Sequence, residues 1–352
     1  MTTSDPRSHL ALVFRLQAPG CRHSGSHFYG DLCELLGDDA ERGGAVIGAM
    51  GQYASEPFEA VYHLRLLAGL HRLALSGEAP GLRAHYPSTG GDGDAAAAWR
   101  AIEPLLRDPP ATLLAALERP CQTNEVGRAA PLASGMAVVA EATGLPLRLL
   151  EIGSSAALNL RLDRYYYEAG GQHWGDPHST VRFVNDWDGG VPPFATATPV
   201  VARRGCDIAP IDVTTPDVDV TLLSFVWPGQ PLRFDRLGAA LEIARSMPVD
   251  VDEEPVETWL PRVLDTPVAG AATVVFHSVV WQYLPKETRD IVRRTLDDAG
   301  RRATPDAPLA WVRLEPSLRM LHSELRYTLW PGGAETLLAT AGFHAGPISW
   351  LG

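Results

Sequence analysis

Lysine is almost missing from this chain: Lys286 is the only one, and arginine supplies the rest of the 30 basic residues. With abundant Ala, Gly and Pro, that bias reads as codon usage in a GC-rich bacterium, not as a functional choice. No Lys/Arg run exceeds two residues, and the net charge is −12 with a pI near 5.4. A phosphate-backbone partner requires a basic stripe, so nucleic acid is excluded and a small-molecule partner is expected. The four cysteines, Cys21, Cys33, Cys121 and Cys206, are scattered and form no paired framework. That usage suits a reducing cytosol, and the expected location is cytoplasmic. No stretch reaches the roughly 18 apolar residues of a membrane span, and "MTTSDPRSHLALVFRLQ" has no apolar core of signal-peptide length. Cys21, His23 and His27 are zinc-ligand types, but no fourth ligand accompanies them, and no metal is expected.

The 352 residues, 45% hydrophobic and 20% charged, suffice for a sizeable core and two lobes. Residues 1–140 read as a helical lobe. "VYHLRLLAGLHRLALSG" (61–77), "AAAAWRAIEPLLRD" (95–108) and "ATLLAALERP" (111–120) carry apolar residues at helical spacing, and "HYPSTGGDGD" (85–94) is a loop. Residues 141–352 alternate strands with helices, the pattern of an α/β domain with a mostly parallel sheet. The expected strands are 147–153, 220–227, 272–281, 309–316, 324–330 and 346–351. The expected helices are 233–247, 256–265, 286–300 and 334–342. Residues 165–218, rich in Pro, Gly and Trp, read as an insertion with short strands.

"LRLLEIGSSAALNLRLDRYYYEAG" (147–170) is a strand that ends in small residues and passes into a helix-like stretch, 156–166. Three readings are open. A cofactor loop would let backbone approach a ligand, and Glu151, two residues before Gly153, suits the cationic S-adenosylmethionine better than a pyrophosphate. The later glycines of such a loop are Ser155 and Ala157 here. A nucleophile elbow would use Ser155, with Asp265 and His344 or His322 following in the chain order of that fold. The third reading is a tight turn that binds nothing.

"ATVVFHSVVWQYLPKETRDIVRRTLDDAG" (272–300) resembles the fourth core strand of class I S-adenosylmethionine-dependent methyltransferases, whose end faces cofactor and acceptor. "LAWVRLEP" resembles their fifth strand, and "ETLLATAGF" with "HAGPISW" their last helix and strand. "CQTNEVGRAAPL", "LLEIGSSAALNLRLDRY", "RRGCDIAPID", "SFVWPGQ" and "VVFHSVVWQYLP" together resemble domain-of-unknown-function family 2332, a largely actinobacterial family, over nearly the full length. The resemblance implies a Rossmann-like methyltransferase sheet, mostly parallel with one antiparallel strand, behind a helical N-terminal lobe. It implies methyl transfer from S-adenosylmethionine to a small molecule bound between the lobes. A serine hydrolase using Ser155, or a non-catalytic binding protein on the same fold, are the alternatives.

Carried over residue by residue, the methyltransferase likeness sets Glu151 against the methionine ammonium, with Gly153, Ser154, Ser155 and Ala157 along its backbone. The acid for the ribose hydroxyls is Asp207 or, in a second register, Asp186; Asp207 is preferred because Pro210 closes its strand. Glu253 or Glu254 would meet the adenine amine. His277 is the candidate general base, or a core histidine bonded to a carbonyl. Tyr283 joins it as a catalytic candidate. Trp227, Trp281 and Tyr283 are candidates to cage a sulfonium or an apolar acceptor, or else pack the core. Asn124, Glu125 and Arg128, just before the first strand, face substrate or cofactor, or else Thr123 or Asn124 caps a helix.

Overall fold

The computed structural model describes residues 5–56, 61–119, 121, 124–196, 199–317 and 322–352; Thr123, one of the two expected caps, lies outside them. The chain divides into two units. The first holds the described residues up to 123 together with Thr215–Asp235, and the second holds Asn124–Thr214 with Arg236–Gly352. The division therefore falls before Asn124 and not at 140, because the helix Ala129–Thr143 packs on the sheet of the second unit.

The first unit is helical, as its periodicity predicts: α1 (Pro6–His23), α2 (His27–Glu41), α3 (Ala45–Met50), α4 (Tyr62–Ser76), α5 (Pro80–Arg83), α6 (Ala95–Arg107) and α7 (Ala111–Glu118). Local chemistry sets several ends. Pro6 opens α1 behind the Asp5 cap, Asp94 accepts the Ala97 amide at the start of α6, and Gly77 stops α4 at φ 81°. Leu10, Phe14, Leu32, Leu66 and Leu70 are fully buried in one core.

The second unit opens with α8 (Ala129–Thr143) and β1 (Leu147–Ile152), then β2 (Tyr166–Ala169), β3 (Gln172–Gly175), β4 (Arg182–Val184), β5 (Trp187–Asp188) and β6 (Val200–Asp207). The chain then returns to the first unit through α9 (Val218–Leu223) and the start of α10 (Pro231–Ser246). Re-entering the second unit, it forms β7 (Asp250–Glu253), α11 (Val256–Val263), β8 (Ala272–Ser278), α12 (Lys286–Arg302), β9 (Leu309–Pro316), β10 (Ser323–Trp330), β11 (Glu335–Ala341) and β12 (Ile348–Trp350). Among the described residues no helix is long and apolar enough to cross a membrane.

The main sheet runs β5-β12-β11-β10-β9-β8-β1-β6-β7, and β3-β2-β4 form a small separate sheet. Strands β7, β6, β1, β8 and β9 are parallel, whereas β9 to β12 pair antiparallel in sequence, so the single antiparallel strand expected above is corrected to a meander. One face of the parallel part carries Leu150, Ile152, Val275 and Trp311 in a core with Trp259, Leu260, Val292 and Leu296 of α11 and α12. On the opposite face α8 comes close, because a Cβ on Gly135 would meet Val312 Cγ1 at 2.8 Å.

Four further expectations are corrected. Residues 220–227 are not a strand. Val218 and Leu222, one helical turn apart, are the buried residues of α9, and Arg72 holds Thr221 on it. Residues 334–342 are not a helix. Gly332 and Gly333, at φ 131° and 78°, turn the chain back so that β11 pairs with β10. Residues 156–166 form no α-helix, only a 3-10 turn over Asn159–Arg164 kinked at Arg161. The expected insertion stops short of 218, because β6 within it is the strand beside β1.

Candidate functional site

In an open parallel sheet the place for a ligand is the crevice at the carboxyl ends of the strands where their order reverses. Here the chain moves outward from β1 through β6 to β7, then crosses to β8 and β9 on the other side, so the reversal lies between β1 and β8.

At the end of β1 the backbone is left-handed at every second residue: Gly153 at φ 70°, Ser155 at 49° and Ala157 at 54°. A Cβ on Gly153 would also meet Val280 Cγ2 at 2.5 Å, so glycine is required there on two counts. Ser155 and Ala157 adopt this path at roughly 1–2 kcal/mol each. Asn124 offsets that strain by clamping the loop: its Oδ1 accepts the Ala156 amide at 3.1 Å and its Nδ2 donates to Ser155 Oγ at 3.1 Å. Asp207, at the end of β6, accepts the Ser155 amide at 2.8 Å on one oxygen and the Ala209 amide at 2.9 Å on the other. Asp186, the competing acid, lies beside β5 on the far edge of the sheet and pairs with Arg236 at 3.3 Å.

Glu151 is 3% exposed and on the α8 face, in register with Phe276. Its Oε2 has no hydrogen-bond partner among the described residues. Burial first, and then the nearby Asp207 charge, push its carboxyl well above the usual range. The consequence for stability has a definite sign. The unfolded chain releases this proton near the ordinary carboxyl pKa and the folded one does not, so stability falls as pH rises from about 4.5 toward the raised value. A Glu151→Gln variant is expected to gain stability relative to the parent as pH rises above about 4.5, read by thermal unfolding across pH.

His277 is the last inward residue of β8, wholly buried. Its Nδ1 lies 2.6 Å from Glu315 Oε1 near the end of β9. The same oxygen accepts the Val280 and Trp281 amides at 3.0 and 3.3 Å, which fixes the carboxylate. A carboxylate partner assigns the proton to Nδ1 and leaves Nε2 as the lone-pair nitrogen. Nε2 has no partner among the described residues. Trp281 stacks on the imidazole at 5.4 Å and 13°, and Trp311 packs at 5.9 Å and 44°. The turn that carries Trp281 begins at Val279, a β-branched residue at φ 53°, and such outliers gather where the surroundings hold a functional geometry.

The other expected residues are dispersed. Glu125 accepts the Gly127 amide and lies 3.1 Å from His344 Nδ1; Arg128 ends the turn Val126–Arg128. Tyr283 is 62% exposed, at the end of the 3-10 turn that Trp281 opens. Trp227 is in the first unit, against its helical core. Glu253 ends β7 exposed, while Glu254 is held by Arg262. His322 faces Glu324 at 3.9 Å and Asp265 is exposed. Cys21 is buried in α1 whereas His23 and His27 are exposed, and among the described residues no three His, Cys, Asp or Glu gather to hold a metal. The residue missed in the sequence is Glu315. Its only signal was an acid near the end of an apolar strand, in "LAWVRLEP".

No curated protein and no solved structure matches the chain. A family model does: residues 11–350 match the family described as an uncharacterized protein conserved in bacteria, DUF2332. With the match running nearly end to end, the chain belongs to that family.

Proposed function

We propose that this protein transfers a methyl group from S-adenosylmethionine to a small molecule, with His277 removing the acceptor's proton. The observation that carries the reading is the run of five parallel strands, β7-β6-β1-β8-β9, whose order reverses beside a left-handed loop on one strand end and a histidine on the next.

The cofactor can be tested against the residues present. The loop Gly153–Ala157 follows the path a glycine-rich loop would take, without the glycines. Each Asp207 oxygen accepts one amide and keeps a second lone pair, so the carboxylate can still receive ribose hydroxyls. These features fit the cofactor. Glu151 fits in position, but burial makes its carboxyl hold its proton more tightly than usual, which weakens it as a counter-charge to an ammonium. When bound, S-adenosylmethionine supplies an electrophilic methyl group on a sulfonium. The chain's own residues align the acceptor and take its proton. Glu315 orients the imidazole, Trp281 holds it flat, and Nε2 is the acceptor site.

Calorimetric titration with S-adenosylmethionine and S-adenosylhomocysteine tests this. Micromolar binding is expected, weakened at least about tenfold in Asp207→Ala and unchanged in Glu151→Gln. No heat from either ligand, in protein that is folded by circular dichroism, would overturn the reading.

A further inference from the structure

The second unit contains a cleft of about 290 Å3 that borders the loop after β1 and leaves out both Asp207 and His277. Its apolar lining includes Ala156 and Ala157 of the loop after β1, with Pro210, Ile211, Val249 and, from β7, Val251. One charged side chain in this lining is almost wholly buried: Arg161, 3% exposed, at the kink of the 3-10 turn.

The Arg161 guanidinium is held by carbonyls alone. Its Nε donates to Met247 O at 2.8 Å, one terminal nitrogen to Ala157 O at 2.7 Å and Ala156 O at 3.4 Å, and the other to Ala244 O at 3.3 Å. Those bonds use four of its five N–H groups and leave one. They satisfy donors without neutralising the charge. No carboxylate lies within ion-pair distance of Arg161 among the described residues, and Glu151, which acts on it at longer range, has its own carboxyl pushed up by burial. A buried cation without a counter-ion is costly, and an anion entering beside it repays part of that cost. The rim adds Arg245, whose Nε donates to Val213 O, and Asp212, which accepts the Thr214 amide and hydroxyl. The lining thus carries two cations and one anion.

We propose that this cleft binds a small monocarboxylate with an apolar body. One remaining donor suits a single carboxylate oxygen, and apolar walls penalise a dianion such as phosphate far more than a monoanion. The volume sits at the lower end of small-molecule sites, about 300–1,000 Å3. The cleft shares Ala156 and Ala157 with the proposed cofactor loop but includes neither Asp207 nor His277, so carboxylate binding can be measured without methyl transfer.

The test is calorimetry of the full chain with straight-chain carboxylates of increasing length and benzoate, beside the matching alcohols and inorganic phosphate. Carboxylates are expected to bind at least about tenfold more tightly than the alcohols and phosphate. Arg161→Gln should lose that preference and Arg161→Lys recover part of it. Because Arg161 also ties four carbonyls, Ile211→Trp serves as the second variant, filling the cleft and abolishing binding with the guanidinium intact. Failure of every carboxylate to bind the parent, equal binding of phosphate, or binding unchanged in Ile211→Trp would each overturn the proposal.

Discussion

Replacing His277 with Gln is expected to lower the proposed methyl transfer by about 10²–10⁴-fold, the usual worth of a positioned general base, while the proposed affinity for S-adenosylmethionine stays within about twofold. The expectation rests on three features: the wholly buried ring, Nε2 without a partner among the described residues, and Nδ1 fixed 2.6 Å from Glu315. In the proposed reaction Glu315 would act through His277 as a positioning residue. Glu315→Gln still meets Nδ1–H but loses the charge that balances a protonated imidazole, so kcat should fall about 10–100-fold with KM unchanged. Methyl-labelled S-adenosylmethionine with a small-molecule cell extract as acceptor pool supplies the assay. A purely structural role would instead lower thermal stability and leave the residual activity per folded molecule intact. Full activity in His277→Gln would remove the histidine from the mechanism.

The largest effect on stability is expected at Trp259. It is fully buried in α11, in the core with Leu150, Ile152 and Val275, and its Nε1 donates to Asp252 Oδ2 at 2.6 Å. Trp259→Ala should cost about 3–5 kcal/mol in urea unfolding, from lost transfer energy and the cavity left behind. Trp259→Phe keeps most of the packing and forfeits the bond, so it should cost about 1–3 kcal/mol. Asp252 itself is held by Arg204 through two bonds of 2.7 Å, by Trp259, and by Arg262 at 3.2 Å. Chiefly the Arg204 guanidinium lowers its carboxyl to about 2. A depressed carboxyl gives stability that is complete above the unfolded value of 3.8 and is lost as pH falls toward 2. Asp252→Asn should therefore be less stable than the parent at pH 7, with the difference closing near pH 2. An equal difference at both pH values would mean that the loss is one of packing and not of charge.

Much of the architecture was written locally. The helices of the first unit follow from apolar spacing bounded by Asp5, Asp94 and Gly77. Residues 309–316 form β9 as expected, and 147–152 form β1, because an apolar run ending in a turn can be buried on both faces of a sheet. Other segments were decided at a distance. "VTLLSFVW" has strand composition, but its first half belongs to α9, which buries Leu222 and, just ahead of the segment, Val218, and offers Thr221 to Arg72. "ETLLATA" has helical composition, yet the Gly332–Gly333 reversal commits it to pairing with β10. Pairing across the sheet outweighed propensity in the second, and burial outweighed it in the first.

The candidate site divides the same way. Gly153 announced the turn, and the residues at 155 and 157 marked where further glycines would fall; only the tertiary structure makes Ser155 and Ala157 take left-handed angles, through bonds from Asn124 and Asp207 across 31 to 52 residues. His277 was visible as a histidine closing a strand. Its partner Glu315 lies 38 residues on, and the two meet because β8 and β9 pair in parallel register, His277 beside Arg313. Glu151 was legible as an acid before a glycine, and its charge was not. Position in the sequence fixes which group stands at the strand end; desolvation by the layers packed over it decides whether that group is ionised.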